Sequence, residues 1–382
     1  MKRHGLGLQI PGGTADILPR EQAFARQLER DIIDRFTAWA YQEVATPTFE
    51  YLACINPHWE KDEKLYKFFD SEGNILALRP ELTTPIARMV ATRLNEQQLP
   101  LRLCYAGEIF RYQKPPTRRV FRQAGVELVG SGSPLADAEV IALSVATLKD
   151  AGVKEFQINL GHIGIFRGLL GDLGLETDKC RQIEDCIARK DFVALELFLA
   201  ESGLEAREIE LILGLSSFHG GEEVLDKVAQ ITSGEITSQA LENLREVYRA
   251  LKMFGVSEVA IDLGVLRGFD YYTGVVFEGY APGLGFPLCE GGRYDGLLEN
   301  FGFNCPATGF AVNLERLANI LQAPECPQAE LLVAGTNMAN VIAKAGELRS
   351  QGLKVEMALI PMDKNCALEY GATRGIKEIL YI

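Results

Sequence analysis

Apolar and polar positions near the start of the chain predict a long helix followed by an interrupted strand. Apolar residues recur at helical spacing over residues 21–39, and a strand pattern runs over 43–50. Pro47 interrupts that strand. Because proline has no N–H to donate to a neighbouring strand, this strand should lie at a sheet edge or an interface. We expect a subunit contact there.

Two short strands and a helix start are predicted next. Residues 66–70 and 75–79 have strand patterns, and the Ser-Glu-Gly-Asn sequence of 71–74 is typical of a turn. Thr84 can cap a helix whose first residue is Pro85. Glu81 and Thr83 then lie at the lip of that helix.

A β-hairpin with a basic loop is predicted over residues 101–129. Residues 101–110 and 120–129 have the patterns of two antiparallel strands, joined by 111–119. Five cations fall between Arg111 and Arg122, which fits either a solvated hairpin tip or a site for a phosphorylated ligand.

Two polar residues interrupt the second strand of this hairpin. Gln123 and Glu127 are four residues apart, with Gly125 between them. Side chains alternate between the faces of a strand, so all three project to one face. A polar row on an otherwise apolar strand predicts the floor of a pocket.

The middle of the chain is helical and acidic. A helix is predicted over 137–151 and a buried strand over 156–160. Four further helices are predicted, over 180–199, 206–213, 222–231 and 239–254. Their position between two strand-rich regions indicates an inserted helical subdomain over 165–255. His162 and His219 are more typical of structural than of catalytic residues here.

The stretch from Leu266 to Arg316 combines polar groups with apolar runs. A strand is predicted at 259–263 and another at 275–280, while paired glycines before Arg293 allow close backbone approach and 310–321 has helical spacing. Buried guanidinium groups need carboxylate or phosphate partners. Arg267 and Arg316 therefore either form structural ion pairs or line an anion-binding pocket.

A small parallel α/β unit is predicted after a linker at 323–328. The pattern is strand 331–334, helix 339–351, strand 355–359, helix 364–374 and strand 378–382. Three short strands bury little apolar surface, so we expect this unit to dock on the main body or on a partner.

Composition and charge restrict the possible classes of function. A chain of 382 residues is long enough for two or three domains. Its formal net charge of −13 gives no general attraction for nucleic acid, so an RNA-binding protein would need a local basic patch. The eight cysteines include no CxxC pair and the histidines are scattered, which predicts reduced thiols and no metal site. Without a signal peptide or a run of roughly 20 apolar residues, a cytoplasmic protein is expected.

Five segments, in order, resemble class II aminoacyl-tRNA synthetases, specifically the histidyl-tRNA synthetase family. Residues 46–50 (Thr-Pro-Thr-Phe-Glu) resemble the first motif, which forms the dimer interface, 110–127 the second and 309–316 the third. Residues 79–83 (Arg-Pro-Glu-Leu-Thr) and 267–272 (Arg-Gly-Phe-Asp-Tyr-Tyr) resemble the two segments that recognise histidine.

The resemblance implies an α+β fold with a six-stranded antiparallel sheet flanked by helices and a histidine pocket on the sheet face. Residues 1–322 would form this synthetase-like body, and 329–382 would be a truncated counterpart of the anticodon-binding α/β domain. The implied histidine-binding residues fall into three groups by the part of the ligand they would hold. They are Glu81, Thr83 and Gln123 for the α-amino end, Glu127, Tyr272 and its neighbour Tyr271 for the imidazole side, and Arg111 and Arg267 for the carboxylate.

Departures from the synthetase pattern favour a paralogous family. The glutamate that recognises adenine in the synthetase motif is Gln113 here, and Arg122 replaces the histidine before the glutamine. Residues 160–167, 219–225 and 273–285 instead resemble the regulatory subunit of ATP phosphoribosyltransferase. That resemblance implies a subunit with no catalytic residues, cofactor or metal of its own. It would form homodimers, assemble with the short catalytic subunit, carry feedback inhibition by histidine and bind no tRNA or membrane.

Two alternatives remain open from the sequence. One is a truncated or specialised histidyl-tRNA synthetase, which would charge tRNA. The other is a synthetase-like amino-acid sensor or ligase, which would turn over ATP with a different amine.

Overall fold

Fifteen β-strands occur in the residues that the computed structural model describes, 8–55, 65–112, 118–232, 234–266, 271–321 and 329–382. In chain order they are β1 (Gln42–Glu43), β2 (Phe49–Tyr51), β3 (Lys67–Phe69), β4 (Ile75–Leu78), β5 (Leu101–Phe110), β6 (Val120–Val129), β7 (Gln157–His162), β8 (His219–Gly220), β9 (Val259–Asp262), β10 (Val275–Tyr280), β11 (Cys289–Arg293), β12 (Ala307–Asn313), β13 (Leu331–Ala334), β14 (Val355–Met357) and β15 (Glu378–Tyr381).

Twelve α-helices occur in the same ranges, and each is either too short or too polar to span a membrane. They are α1 (Pro19–Ala38), α2 (Thr83–Met89), α3 (Pro134–Asp150), α4 (Ile163–Asp172), α5 (Thr177–Ala188), α6 (Phe192–Ala200), α7 (Ala206–Ser217), α8 (Glu223–Ile231), α9 (Glu235–Met253), α10 (Leu314–Ile320), α11 (Met338–Ser350) and α12 (Lys364–Arg374).

A nine-stranded mixed sheet in the order β1-β5-β6-β12-β11-β10-β7-β9-β8 forms the centre of the larger of two compact units. Within it, the six adjacent strands β5, β6, β12, β11, β10 and β7 pair with one another in antiparallel fashion, as the resemblance implies. Short strands extend it: β1 is parallel to β5 and β9 parallel to β7, while β8 is antiparallel to β9. The predicted class II synthetase-like fold is confirmed.

Helices α3 and α9 pack together against the sheet, leaving its other face for the polar row of β6. A buried ion pair fastens this helical layer, because Arg293 on β11 donates to the carboxylate of Asp137 on α3 at 2.9 Å. Both side chains are buried, and Arg293 also pairs with Asp295 at 3.0 Å, so removal of Arg293 would leave the buried carboxylate of Asp137 without compensation.

A separate small sheet, β2-β4-β3, is antiparallel and carries exposed aromatic side chains. Phe49 and Tyr51 are half exposed, and Phe69 is 72% exposed. The predicted strand over 43–50 is wrong in one respect. Its ends belong to different sheets, β1 and β2, and Pro47 lies in the connection.

Two helix predictions are also corrected. Residues 307–313 form β12 rather than part of a helix, because Phe310 pairs with Val126 on one side and Gly291 on the other, and the helix begins at Leu314. The predicted helix over 180–199 is two helices, because Lys190 has a left-handed φ of 56° and Asp191 caps α6.

The smaller unit contains the predicted parallel α/β arrangement. Its strands lie in the order β14-β13-β15, and β13 is parallel to both neighbours. Residues 329–382 form this unit together with Pro19–Glu21. The interpretation of 1–322 and 329–382 as a synthetase-like body and a truncated anticodon-binding-like domain stays a prediction.

Candidate functional site: a tyrosine-lined acidic pocket

One pocket on the open face of the large sheet brings together the predicted site residues. It encloses about 380 Å³, including its open mouth. Seven of the eight predicted residues line it: Glu81, Thr83, Arg111, Gln123, Glu127, Tyr271 and Tyr272. The eighth, Arg267, lies outside the described residues.

The pocket floor depends on two glycines, Gly125 within the polar row of β6 and Gly309 on the facing strand β12. Glu127 pairs with Gly309 on β12, and Gly125 pairs with Ala311. A Cβ on Gly309 would lie 1.9 Å from Oε2 of Glu127, and a Cβ on Gly125 would lie 2.5 Å from the hydroxyl of Tyr105. Any larger residue at either position would collide with the side chains that form the floor.

Glu127 is the most deeply buried acid of the pocket, with 1% of its surface exposed. Tyr294 donates its hydroxyl hydrogen to Oε2 of Glu127, whereas Oε1 has no well-formed hydrogen bond within the described part of the chain. Burial raises the pKa of Glu127 to about 8, and the negative charge of Glu81 adds to this effect. At neutral pH, Glu127 therefore holds a proton.

Glu81 is the second buried acid, and its side chain caps the start of α2. Both of its carboxylate oxygens accept from the backbone N–H of Thr84, at 3.0 and 3.1 Å. The predicted cap by Thr84 is wrong, because α2 begins at Thr83 and Glu81 supplies the acceptor. Burial raises the pKa of Glu81, and the hydrogen bonds from Thr84 offset part of the shift.

Four tyrosines surround the two acids. The rings of Tyr271 and Tyr272 lie 4.9 Å apart between centroids, and the ring of Tyr294 meets that of Tyr271 edge-on at 5.8 Å. Burial raises the pKa of Tyr105, Tyr271 and Tyr294 well above the usual range, so these hydroxyls stay protonated. The pocket offers carboxylates, hydroxyls and ring faces, which together suit a ligand with basic nitrogen atoms.

Sequence analysis missed three residues with polar side chains in this pocket: Tyr105, Glu290 and Tyr294. Tyr105 lies in a strand of alternating apolar residues, where it is indistinguishable from a core residue. Its pairing with Gly125 is the only feature that could have identified it. Tyr294 follows the paired glycines and Arg293, a segment whose polar character was noted without a role.

A second recess, of about 850 Å³ including the space open to solvent, adjoins the pocket and shares Arg111, Gln123, Glu290 and Ala311 with it. Arg118 and Arg316 also line it, so Arg118 is not a fully solvated residue of a simple hairpin tip. Arg111 donates to the carbonyl of Pro80 at 2.8 Å, which holds its guanidinium at the boundary between the two cavities. Arg122, in contrast, is engaged by Glu29.

The histidines and potential metal ligands add no second chemical centre within the described ranges. His162 caps α4 by accepting from the N–H of Gly164 at 3.0 Å, and burial lowers its pKa to about 4. This agrees with the predicted structural role. Across the described ranges, the His, Cys, Asp and Glu side chains form no group of three that could hold a metal ion.

Comparison with known proteins decides the family. A family model for histidyl-tRNA synthetase matches residues 13–317. The ATP phosphoribosyltransferase regulatory subunit of Desulfitobacterium hafniense is 48% identical over 383 aligned residues, covering 100% of both chains. That of Moorella thermoacetica is 45% identical, with 97% of each chain covered. The chain belongs to the ATP phosphoribosyltransferase regulatory subunit family.

Solved structures agree with this assignment. A structure titled ATP phosphoribosyltransferase regulatory subunit/histidyl-tRNA synthetase, from Bacillus halodurans, aligns with a TM-score of 0.86 and 31% identity over 98% of both chains. Histidyl-tRNA synthetase from Nostoc sp. PCC 7120 aligns with a TM-score of 0.84 over 97% of this chain and 90% of its own, but at 24% identity. The second match supports the fold alone. The predicted resemblance to the regulatory subunit family is confirmed.

The raised pKa of Glu127 predicts a pH-dependent stability difference in this family member. The folded state retains a proton on Glu127 that the unfolded chain releases near pH 4.5, so stability falls as pH rises from there to about 8. Glu127→Gln removes this loss and can still accept from Tyr294. We expect its stability relative to the parent to increase by roughly 1–4 kcal/mol between pH 5 and 8, at about 1.4 kcal/mol per pKa unit.

Urea unfolding of the ligand-free proteins at several pH values measures this difference. Glu96→Gln, at an exposed position, is the control for the loss of one acidic side chain. A difference between Glu127→Gln and the parent that stays constant with pH would contradict the assignment of a protonated Glu127.

Proposed function

We propose that this chain is a non-catalytic regulatory subunit that assembles with the short catalytic subunit of ATP phosphoribosyltransferase, the first enzyme of histidine biosynthesis. Histidine binds in the tyrosine-lined pocket and reports the concentration of the end product to the catalytic partner. Such reporting requires histidine to bind one state of the assembly more tightly than another.

The observation that carries this proposal is the buried Oε1 of Glu127, which has no well-formed hydrogen bond among the described residues. A buried carboxyl oxygen without a partner is costly, so a ligand N–H placed there gains free energy. The imidazole ring of histidine can supply that N–H, or it can accept the proton that Glu127 holds. Tyr271 and Tyr272 then flank the ring.

The remaining groups of histidine find complementary partners at the open end of the pocket. Glu81, Thr83 and Gln123 offer acceptors for the α-ammonium group, and Arg111 offers a guanidinium to the carboxylate. We assign Arg267 the same role as Arg111, because residues 267–272 resemble a histidine-recognition segment. The pocket thus recognises both ends of a single amino acid without needing a cofactor or a metal.

We also propose a homodimer formed through the small sheet, a cytoplasmic location and no productive contact with tRNA. Phe49, Tyr51 and Phe69 present apolar surface beside the segment that resembles the synthetase dimerisation motif. The net charge of −13 and the replacement of the adenine-recognising glutamate by Gln113 support a role without aminoacylation.

Isothermal titration calorimetry tests histidine binding to the chain, alone and in its complex with the catalytic subunit. We expect saturable binding of histidine and none of phenylalanine, which lacks a ring N–H. Glu127→Ala should weaken histidine affinity by about 10- to 100-fold, because it removes the carboxyl group that hydrogen-bonds to the imidazole. Glu108→Ala, on the neighbouring strand β5 at a 53% exposed side chain, is the matched control and should bind like the parent.

The proposal is overturned if histidine gives no heat with either preparation. Unchanged affinity in Glu127→Ala would show that histidine binds somewhere other than this pocket.

A histidyl-tRNA synthetase activity is the second candidate, because the adjoining cavity places Arg111, Arg118 and Arg316 next to the pocket. Histidine-dependent exchange of pyrophosphate into ATP separates the two functions. We expect no exchange above a reaction lacking histidine, since Gln113 replaces the charged carboxylate acceptor for the adenine amino group with a neutral amide. Robust exchange followed by charging of tRNA would favour the synthetase instead.

A further inference from the structure

The small sheet and the pocket are joined by a very short piece of chain. Strand β4 ends at Leu78, and only Arg79 and Pro80 separate it from Glu81. The small sheet has its own cluster of four buried apolar residues, separate from the main core: Leu52, Ile55, Leu65 and Ala77. So few buried contacts make this sheet more dependent on its attachments than the central sheet is.

Arg79 is the first attachment, and its buried side chain contacts three separate carbonyls. Its Nε donates to Glu108 on β5 at 2.8 Å, while Nη1 donates to Thr46 at 2.8 Å and to Pro47 at 3.3 Å. Its backbone N–H donates to Thr48 at 3.1 Å. Arg79 thereby holds the segment that leads into β2 against the strand that carries Tyr105.

The second attachment is an ion pair between the small sheet and α2. Nη2 of Arg88, in the last turn of α2, donates to Oε1 of Glu50 on β2 at 2.7 Å, with only 23% and 9% of the two side chains exposed. The first turn of α2 contains Thr83 and receives the cap from Glu81. One seven-residue helix therefore contacts the pocket at one end and the small sheet at the other.

We propose that Arg79 and the Glu50–Arg88 pair couple occupation of the pocket to the order of the small sheet. Both carboxylate oxygens of Glu81 accept from the N–H of Thr84. A ligand ammonium group must share that carboxylate, which changes how the start of α2 is held. Because α2 is short and fixed to Glu50, the change reaches β2. This coupling rests on the proposed binding of histidine. It adds the path by which the effect of binding is transmitted from the pocket to the small sheet.

Hydrogen–deuterium exchange of the full chain, with and without saturating histidine, tests the coupling. We expect histidine to slow exchange of backbone amides in β2 and β4 by about tenfold, within the usual range of coupling between sites. Amides of β14, in the smaller unit, serve as the internal reference and should not change. Calorimetry on the same samples establishes saturation separately.

Arg88→Gln should abolish the histidine-dependent change in β2 while histidine remains bound, and Glu50→Gln should do the same. Arg93→Gln removes an exposed arginine five positions further along and should behave like the parent. A merely structural role for Arg88 would raise exchange equally with and without histidine. Having both Arg88→Gln and Glu50→Gln guards against one variant failing to fold.

Three results separate the outcomes. Protection in the parent and Arg93→Gln that is lost in Arg88→Gln or Glu50→Gln supports the coupling. Histidine binding without any change in β2 and β4 overturns it and leaves the proposed function intact. Absence of histidine binding overturns the proposed function, and the coupling with it.

Discussion

Two carboxyl groups buried in one small pocket are the constraint on which the rest of the site depends. Glu81 and Glu127 are 4% and 1% exposed, and each raises the cost of ionising the other. The surrounding structure answers that cost in different ways. Glu81 caps a helix, Glu127 receives a tyrosine hydroxyl, and Gly309 on the facing strand leaves room for the carboxyl group. Oε1 of Glu127 remains without a well-formed hydrogen bond among the described residues.

A pocket of this kind suits a sensor as well as a catalyst, since binding histidine is the first requirement of both. The synthetase family and the regulatory subunit family differ in the residues that lie around this pocket. In this chain Gln113 stands where the synthetase motif has its adenine-recognising glutamate, while the groups that would hold the amino acid are kept together. A ligand that binds without reacting can still shift an equilibrium between assembly states, provided that it prefers one of them.

The sequence predicted the site better where strand periodicity determined it. Gln123 and Glu127 project together because a strand repeats every two residues, and both line the pocket. Tyr105 could not be recognised, because its role depends on a cross-strand register with Gly125 that no local pattern specifies. Similarly, helical spacing was predicted from residue 310 onwards, and only pairing between β6 and β11 makes residues 310–313 part of a strand. Both errors arose because long-range strand pairing, rather than local propensity, determines the structure at these residues.

The central claim is that the inherited amino-acid pocket carries the regulation. The most direct measurement is the phosphoribosyltransferase activity of the catalytic subunit assembled with either the parent chain or Glu127→Gln, titrated with histidine after the assembly masses have been matched. We expect histidine to inhibit the parent complex, and the complex with Glu127→Gln to need at least about tenfold more histidine for the same inhibition. Identical inhibition curves for the two complexes would contradict it.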